Sequence, residues 1–497
     1  MSVSVWMRQI LVVPLKWLLG LGAAIGVACV WGVLLSASPG TMRDLTATSL
    51  VVFLLGLSVR RPAMTMYLLM LYLPALGFIR RWLIPMAGWQ SFDPLVIVAP
   101  VVISIIGSYW LYQRFIRRGP RLPDTKLFYL VQLLMLVDLL EVANPQQGGL
   151  LTGIGGVMFY VVPLLWMVLS KQYFTEKRMK ILLGTVAVIG LLSALYGLKQ
   201  TFYGFYSFEQ DWIKLSGYAA LIVGKSSRAF STFTSASEYA EYLVIALAIC
   251  WAFILRGDVI VKLIALLAIG VIGYALFLES SRSPIVTGVV AIAVMSIVAV
   301  KRVSTRIVIA IFAACGIVGL YVALGHMASS TNPLISHQVA GLTNPLSSQQ
   351  DVVGKWTLML SGLTRAITHP LGSGLGTTTI AVGKLGNAAF ASNSEIDLSN
   401  MCISDGLAGG IIYLLIMIRV FVLAFAVNKE KRLVPIALLG ILIAALGQWS
   451  NGEDYSTCAF VWLCIGYLDK ATEKSPLNLR VPRKFLKKRA IGQRGIL

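Results

Sequence analysis

The chain has 497 residues, of which 57% are hydrophobic and 13% charged, and its net charge is +21. A water-soluble protein carries about 25% charged residues, and a disordered chain is poor in the large apolar residues that abound here. The composition excludes both classes and predicts an all-α, polytopic membrane protein, because an apolar stretch of about 20 residues crosses a bilayer as a helix.

Apolar runs separated by charged breaks predict about fourteen transmembrane helices. In chain order their expected positions are 17–35, 46–59, 63–79, 94–112, 127–143, 149–169, 181–198, 237–255, 262–279, 284–300, 307–324, 404–426, 433–449 and 456–468. With the N-terminus inside, alternate loops collect most of the Lys and Arg residues, as loops that stay in the cytoplasm do.

Three parts follow from this pattern. We expect an N-terminal transmembrane bundle at 1–220, a transmembrane catalytic region at 221–470 with one long periplasmic loop at 325–400, and a basic cytoplasmic tail at 471–497. The tail is expected to lie against anionic headgroups of the lipid bilayer, each basic residue contributing about 1 kcal/mol near the surface. No aromatic platform accompanies the charge, so a nucleic-acid partner is not expected.

A smaller set of basic residues is expected on the outer side, against the orientation rule. These residues are Arg43, Arg80, Arg81, Lys199, Lys214, Lys225, Arg228, Arg282, Lys355, Arg365 and Lys384. Each outward-facing arginine needs a local reason, and a bound anion is the obvious one. Arg282 either forms a structural pair with Glu279, anchors the membrane interface, or is functional, because a charge at membrane depth is costly without a role.

Ser235 and Glu238 have the spacing of a helix capping box, so the Ser and Thr run after Arg228 is expected to start a helix. That cap does not account for Arg228.

The outer loop at 325–400 is far longer than the roughly 2–8 residues that usually join neighbouring helices, and long loops on a rigid scaffold commonly carry function. It contains all three histidines, His326, His337 and His369. Apolar residues at 356, 359, 360, 363 and 367 predict a helix from Lys355 to His369, in which Arg365 and His369 share a face.

Pro370 is expected to end this helix, and Gly372, Gly374 and Gly376 follow it. Alternating glycines permit positive φ angles and a close approach of the backbone to a ligand, or they form a simple flexible turn.

Four of these segments together resemble the O-antigen ligase and polymerase superfamily of bacterial envelopes, over about residues 220–430. They are Arg228 with Ser231–Phe233 and Tyr239-Ala240, then Ser281-Arg282, then the outer loop with Lys355-Trp356 and the run from His369 to Gly376, and finally Asp405-Gly406. The resemblance implies a GT-C-like fold. It also implies transfer of a glycan from undecaprenyl diphosphate to an acceptor at the periplasmic side of the bacterial inner membrane, without metal or cofactor.

Two departures from the family pattern favour a polymerase. Family members often have Gly-Thr-Phe and Asn-Pro-Asn, where this chain has Ser231-Thr-Phe and Ser235-Ala-Ser237. Ligases carry a histidine at the position that is Glu395 here. We expect an enzyme that joins undecaprenyl-diphosphate-linked repeat units into O-antigen or exopolysaccharide, with a flippase and a chain-length regulator as possible partners. The alternatives are an O-antigen ligase and a secondary transporter of envelope precursors.

The expected chemistry assigns roles to the outer residues. Arginine pairs bidentately with phosphate and stays ionised, so Arg228, Arg282 and Arg365 are expected to hold the departing diphosphate. The acceptor hydroxyl needs a base, and the candidates expected to be accessible are Glu395, Asp397 and His369. The residues expected to bind substrate are Lys355, Gly372, Gly374, Gly376 and Asp397. The sequence has no P-loop and no metal-ligand motif.

Overall fold

The computed structural model describes residues 39–90, 92–116, 125–216, 222–223, 226–326, 332–343, 351–392, 394–428, 432–450, 454–473, 475 and 477–478. Of the described residues, 82% are helical and almost none lie in a sheet. The expected first span at 17–35 and most of the basic tail lie outside the described residues.

The described part of the chain forms the following α-helices. The first half contains α1 (Pro39–Arg60), α2 (Pro62–Trp82), α3 (Ile84–Ala87), α4 (Val98–Phe115), α5 (Lys126–Glu141), α6 (Leu150–Tyr173), α7 (Glu176–Tyr203), α8 (Ser207–Ser216) and α9 (Ala236–Arg256). The second half contains α10 (Val259–Glu279), α11 (Arg282–Ala299), α12 (Val303–His326), α13 (Pro333–Thr343), α14 (Asp351–Thr368), α15 (Ile380–Leu385), α16 (Asp397–Val427), α17 (Leu433–Ala444) and α18 (Tyr455–Ala471). Strands β1 (Ile222–Val223) and β2 (Ser226–Ser227) pair antiparallel.

Nine helices of the described ranges are long and apolar enough to cross a membrane, which makes this a multi-pass helical membrane protein. They are α1, α2, α4 with the turn before it, α6, α7, α9, α10, α11 and α16. Helices α5, α12, α17 and α18 also form at expected spans. The count of fourteen spans stays a prediction.

Hydrogen bonds tie the ends of the helices into two groups. At one end, Arg81 of α2 donates to the carbonyl oxygens of Ser231 (2.7 Å) and Phe233 (2.6 Å), just before α9. The start of α18 is tied to α9 by a 3.0 Å bond from the Ser456 amide to Glu238. The ends that meet here are those that the alternating loops predict for the outer side. We call this the Arg282 end, because the corner between α10 and α11 lies here too.

The opposite end of the bundle is called the Arg178 end. Here Lys171 of α6 forms a buried ion pair with Asp469 of α18, and Lys470 donates to the Phe174 carbonyl at 2.8 Å. Glu176 at the start of α7 pairs with Arg432 before α17 at 3.2 Å. These ends belong to the loops that the orientation rule assigns to the cytoplasm.

Three arginines expected on the outer side have partners within the protein. Arg43 forms a buried ion pair with Asp93, which Arg80 also contacts at 3.2 Å. Arg81, in addition to its carbonyl partners, lies over the ring of Phe230 at 4.4 Å from the centroid. A charged side chain at membrane depth requires such compensation. A carboxylate, carbonyls and an aromatic face therefore supply the local reason for these arginines, where a bound anion was the expectation.

Helix α16 is broken at Gly406, whose φ of 63° and ψ of −153° lie outside the helical region. The segment 370–376, which we call the glycine loop, bonds to the backbone groups that the break exposes. Its hydrogen bonds run from the Ser373 amide to the Ile403 carbonyl (2.8 Å), from the Gly374 amide to the Ser404 carbonyl (3.1 Å) and from the Leu407 amide to the Pro370 carbonyl (3.1 Å). The break is thus closed by the protein itself, as the absence of water at membrane depth requires.

The break can be tested by comparing two glycines. Gly406→Ala places a Cβ against the Pro370 carbonyl and the Gly372 amide at a left-handed φ, so we expect a loss of about 1–3 kcal/mol of stability. Gly270→Ala is the matched control, because Gly270 lies in regular α10 with no atom near its added Cβ. That variant should be neutral or gain up to about 1 kcal/mol. Thermal unfolding in detergent measures both, and equal melting temperatures would contradict the described break.

Candidate functional site

Arg228 and Arg282 meet at the corner between α10 and α11. Arg228 forms an ion pair with the buried carboxylate of Glu279 at 2.5 Å, and its Nε donates to the Glu279 carbonyl at 3.1 Å. The same guanidinium donates to the Ser281 hydroxyl. We call Arg228, Glu279, Ser281, Arg282 and His337 the arginine corner. In the sequence, Glu279 was a candidate partner for Arg282. In the structure it pairs with Arg228, which lies 51 residues earlier in the chain.

Arg282 contacts a histidine from the outer loop. Its Nη2 lies 3.1 Å from His337 Nε2 and donates to the His337 carbonyl at 3.1 Å. Helix α13, which carries His337, is fixed to the corner by a 3.1 Å bond from the Gln338 side chain to the Ser281 carbonyl. His337 was visible in the sequence only as one of three histidines, because nothing local links it to Arg282.

Local backbone geometry shapes this corner. Helix α10 ends at Ser280, which adopts a left-handed φ of 73°, and the Glu279 carboxylate accepts from the Ser281 amide at 2.9 Å. The Ser280 hydroxyl donates to the Leu334 carbonyl of α13 at 3.1 Å. The turn therefore keeps Glu279 and Arg282 at the same end of the bundle.

The arginine corner is electropositive. It contains two guanidinium groups and one carboxylate, and Glu279 is fully buried while the Arg228 side chain is 15% exposed. Arg282 is 8% exposed. Guanidinium groups in poorly solvated surroundings attract anions more strongly than they do in water. The corner can therefore hold a phosphate-like anion that reaches it from the Arg282 end.

Arg365 belongs to a different group of contacts. Near the end of α14, its Nη1 donates to the Ser392 hydroxyl at 2.9 Å and its Nε to the Ser373 hydroxyl of the glycine loop at 3.3 Å. In the part of the chain that the structure describes, no hydrogen bond or ion pair joins Arg365 to the arginine corner. The structure thus brings together two of the three arginines predicted to share a site.

The two candidate bases are both exposed. His369 follows α14, and its Nδ1 lies 3.0 Å from the Thr368 hydroxyl. Glu395 has a left-handed φ of 58°, and its carbonyl accepts from the Gln448 side chain at 3.0 Å. Lys355 lies within α14, but its side chain is outside the described residues. The choice between His369 and Glu395 stays open.

Asp397 was expected to be an accessible acid, and this expectation is wrong. The residue is 1% exposed. Its carboxylate accepts from the Tyr413 hydroxyl at 2.8 Å and from the Trp449 amide at 2.5 Å. It connects the start of α16 to the segment after α17, a contact that only the folded chain creates.

The three glycines of the glycine loop lie against the protein's own chain. Gly372 and Gly374 adopt positive φ angles of 85° and 100°, as the alternating pattern predicts. A Cβ on Gly372 would meet the Ser404 carbonyl, and one on Gly374 would meet Gln147 at 2.7 Å. A Cβ on Gly376 would meet the Thr152 carbonyl. The close approach expected toward a ligand is therefore made to α16 and α6 and to the turn before α6.

Two buried carboxylates next to the broken helix were not predicted as site residues. Asp138 of α5 and Asp405 of α16 are 0% and 1% exposed, and none of their four carboxylate oxygens has a hydrogen-bond partner among the described residues. The helices α5 and α16, which carry them, pack against each other. The signal in the sequence was a carboxylate at membrane depth, which is costly without a function or a partner.

Neither a metal centre in the described ranges nor similarity to known proteins identifies the site. Within the described ranges, no group of three or more His, Cys, Asp and Glu side chains is arranged to hold a metal ion. A scan against models of protein families and a search of curated proteins found no match to this chain. The arginine corner and the contacts of Arg365 are therefore the features that define the candidate site.

The difference between Asp397 and Asp405 is testable. Asp397→Asn removes an acceptor that two donors use, so we expect a loss of about 1–3 kcal/mol of stability. Asp405→Asn replaces a carboxyl group that is costly to bury without a partner among the described residues, so stability should rise by about 1 kcal/mol or more. Melting temperatures in detergent at slightly alkaline pH measure both effects. A loss of stability in the Asp405 variant would show that its carboxylate has a stabilising partner.

Proposed function

We propose that this chain is a metal-independent membrane glycosyltransferase with a GT-C-like fold. It joins undecaprenyl-diphosphate-linked repeat units into O-antigen or exopolysaccharide at the periplasmic face of the bacterial inner membrane. The observation that carries the proposal is the arginine corner, where Arg228 and Arg282 lie together at the end opposite the most basic loops. The resemblance of residues 220–430 to the polymerase and ligase superfamily supports the same reaction class.

The reaction requires stabilisation of a leaving group. The acceptor hydroxyl attacks the anomeric carbon, the bond from that carbon to the diphosphate oxygen breaks, and its electron pair leaves with the diphosphate. The hydroxyl proton passes to a base, for which His369 and Glu395 are the exposed candidates. Each charge-assisted hydrogen bond from an arginine contributes about 1.5–3 kcal/mol, so two or three of them lower the barrier substantially.

Helix α14 has features that favour a lipid-linked donor as the substrate. Trp356, Leu360 and Ile367 follow one stripe of this helix and are 58%, 56% and 70% exposed. An exposed apolar stripe on an amphipathic helix is suited to the boundary between headgroups and acyl chains. Arg365 on the same helix would then lie close to the depth at which the diphosphate of a membrane-anchored donor is found.

Removal of one arginine from each group tests the proposal. Arg282→Ala and Arg365→Ala are each expected to reduce chain lengthening at least about 100-fold, because stabilisation of the leaving group is lost. The assay uses purified protein in liposomes with lipid-linked repeat units, and product length is read on a gel. Arg302→Ala is the matched control, since Arg302 is an exposed arginine before α12 at the Arg178 end. Long products from both of the first two variants would refute the proposal.

A secondary transporter is the second candidate, and the broken helix favours it. Discontinuous helices and ionisable residues inside the bundle are typical of transporters that couple substrate movement to ions. Gly406 breaks α16 next to Asp405, and α16 packs against α5, which carries Asp138. In the same liposomes, the glycosyltransferase predicts longer chains without solute flux. Flux that Asp405→Asn abolishes, with repeat length unchanged, would favour the transporter.

A further inference from the structure

A cavity of about 750 Å³ opens at the Arg178 end, between α1, α2, α6 and α7. This volume lies within the ~300–1,000 Å³ range of ligand pockets. The helices that line the cavity begin or end at the Arg178 end. The cavity is therefore far from the arginine corner, which lies at the opposite end of the bundle. The proposed glycan chemistry does not use it.

The polar side of the cavity is basic. Arg60, Arg61 and Arg178 line it, and its lining contains no acidic residue. The nearest acid along the chain, Glu176, already pairs with Lys180 at 3.0 Å and Arg432 at 3.2 Å. All three lining arginines are exposed. The cavity therefore presents an excess of positive charge to whatever enters it.

A helix start adds to this charge. Helix α2 begins at Pro62 beside the cavity, and Arg61 at its cap position makes no capping bond through its side chain. The dipole of a helix favours an anion at this end. The dipole of α2 and the three arginines both favour a negatively charged ligand.

The other wall of the cavity is apolar. Met64 and Tyr67 of α2 face it from one side, and Phe174 and Ile181 line the other. Met64 and Ile181 are exposed. They lie in the first turns of α2 and α7, at the Arg178 end of the bundle. A ligand that satisfies both walls carries a phosphate next to aliphatic chain, which is the chemistry of a phospholipid.

We propose that this cavity binds one anionic phospholipid, with its phosphate among Arg60, Arg61 and Arg178 and its acyl chain against Met64 and Ile181. A zwitterionic headgroup fits less well, because its ammonium group would be repelled by the arginines. The orientation expected from the basic loops places the site in the cytoplasmic leaflet, whose anionic lipids attract basic residues near the membrane surface. The proposal does not depend on the glycan reaction.

The test measures lipid binding to the purified full chain in detergent. Native mass spectrometry counts retained phosphatidylglycerol and phosphatidylcholine at equal concentrations, and wild type should retain phosphatidylglycerol at least about tenfold more tightly. The triple variant Arg60→Ala, Arg61→Ala, Arg178→Ala should lose this preference. The matched control Lys262→Ala, Lys301→Ala, Arg302→Ala removes three exposed charges from the same end outside the cavity, and it should keep the preference.

Two further results decide the proposal if the triple variant does not fold. Arg178→Glu alone changes an exposed side chain and should weaken phosphatidylglycerol binding at least about tenfold. Inorganic phosphate added in excess should leave the lipid bound. Equal retention of the two lipids by wild type, an unchanged preference in the arginine variants, or displacement by inorganic phosphate would each overturn the proposal, the last by identifying a free anion as the ligand.

Discussion

A polar group at membrane depth has no water to bond with, so its partner must come from the protein, and this constraint organises the structure. The glycine loop bonds to the backbone groups exposed by the break at Gly406. Asp93 neutralises Arg43, and Glu279 neutralises Arg228. Asp138 and Asp405 are exceptions to this rule in the described part of the chain, since all four of their carboxylate oxygens lack a protein partner.

Hydropathy and turn chemistry predicted the local structure, because both act over short stretches of sequence. The helix expected at Lys355–His369 is observed at Asp351–Thr368, and Ser235 caps α9 as its spacing with Glu238 predicted, with a 2.9 Å bond. Contacts between distant segments could not be predicted. The Arg228 pair with Glu279 and the burial of Asp397 under Trp449 depend on how whole helices pack.

The two arginine groups differ in how firmly they are held. The arginine corner is built into the junction of α10 and α11, where Glu279 and His337 fix the guanidinium groups in place. Arg365 is held by two serine hydroxyls at a loop, with no carboxylate among its hydrogen-bond partners in the described ranges. For the proposed reaction, the corner is a preorganised site for the diphosphate, and Arg365 lies on the amphipathic helix α14, which is suited to contact with lipid.

We propose that the arginines at the Arg282 end bind the diphosphate of a lipid-linked donor. The most direct measurement is an electron cryomicroscopy structure of the protein in nanodiscs with an undecaprenyl-diphosphate-linked repeat unit. We expect the diphosphate to lie within hydrogen-bonding distance, about 2.7–3.2 Å, of the guanidinium groups of Arg282 and Arg365. A donor headgroup bound at the Arg178 end, or at the Arg282 end but away from both arginines, would contradict it.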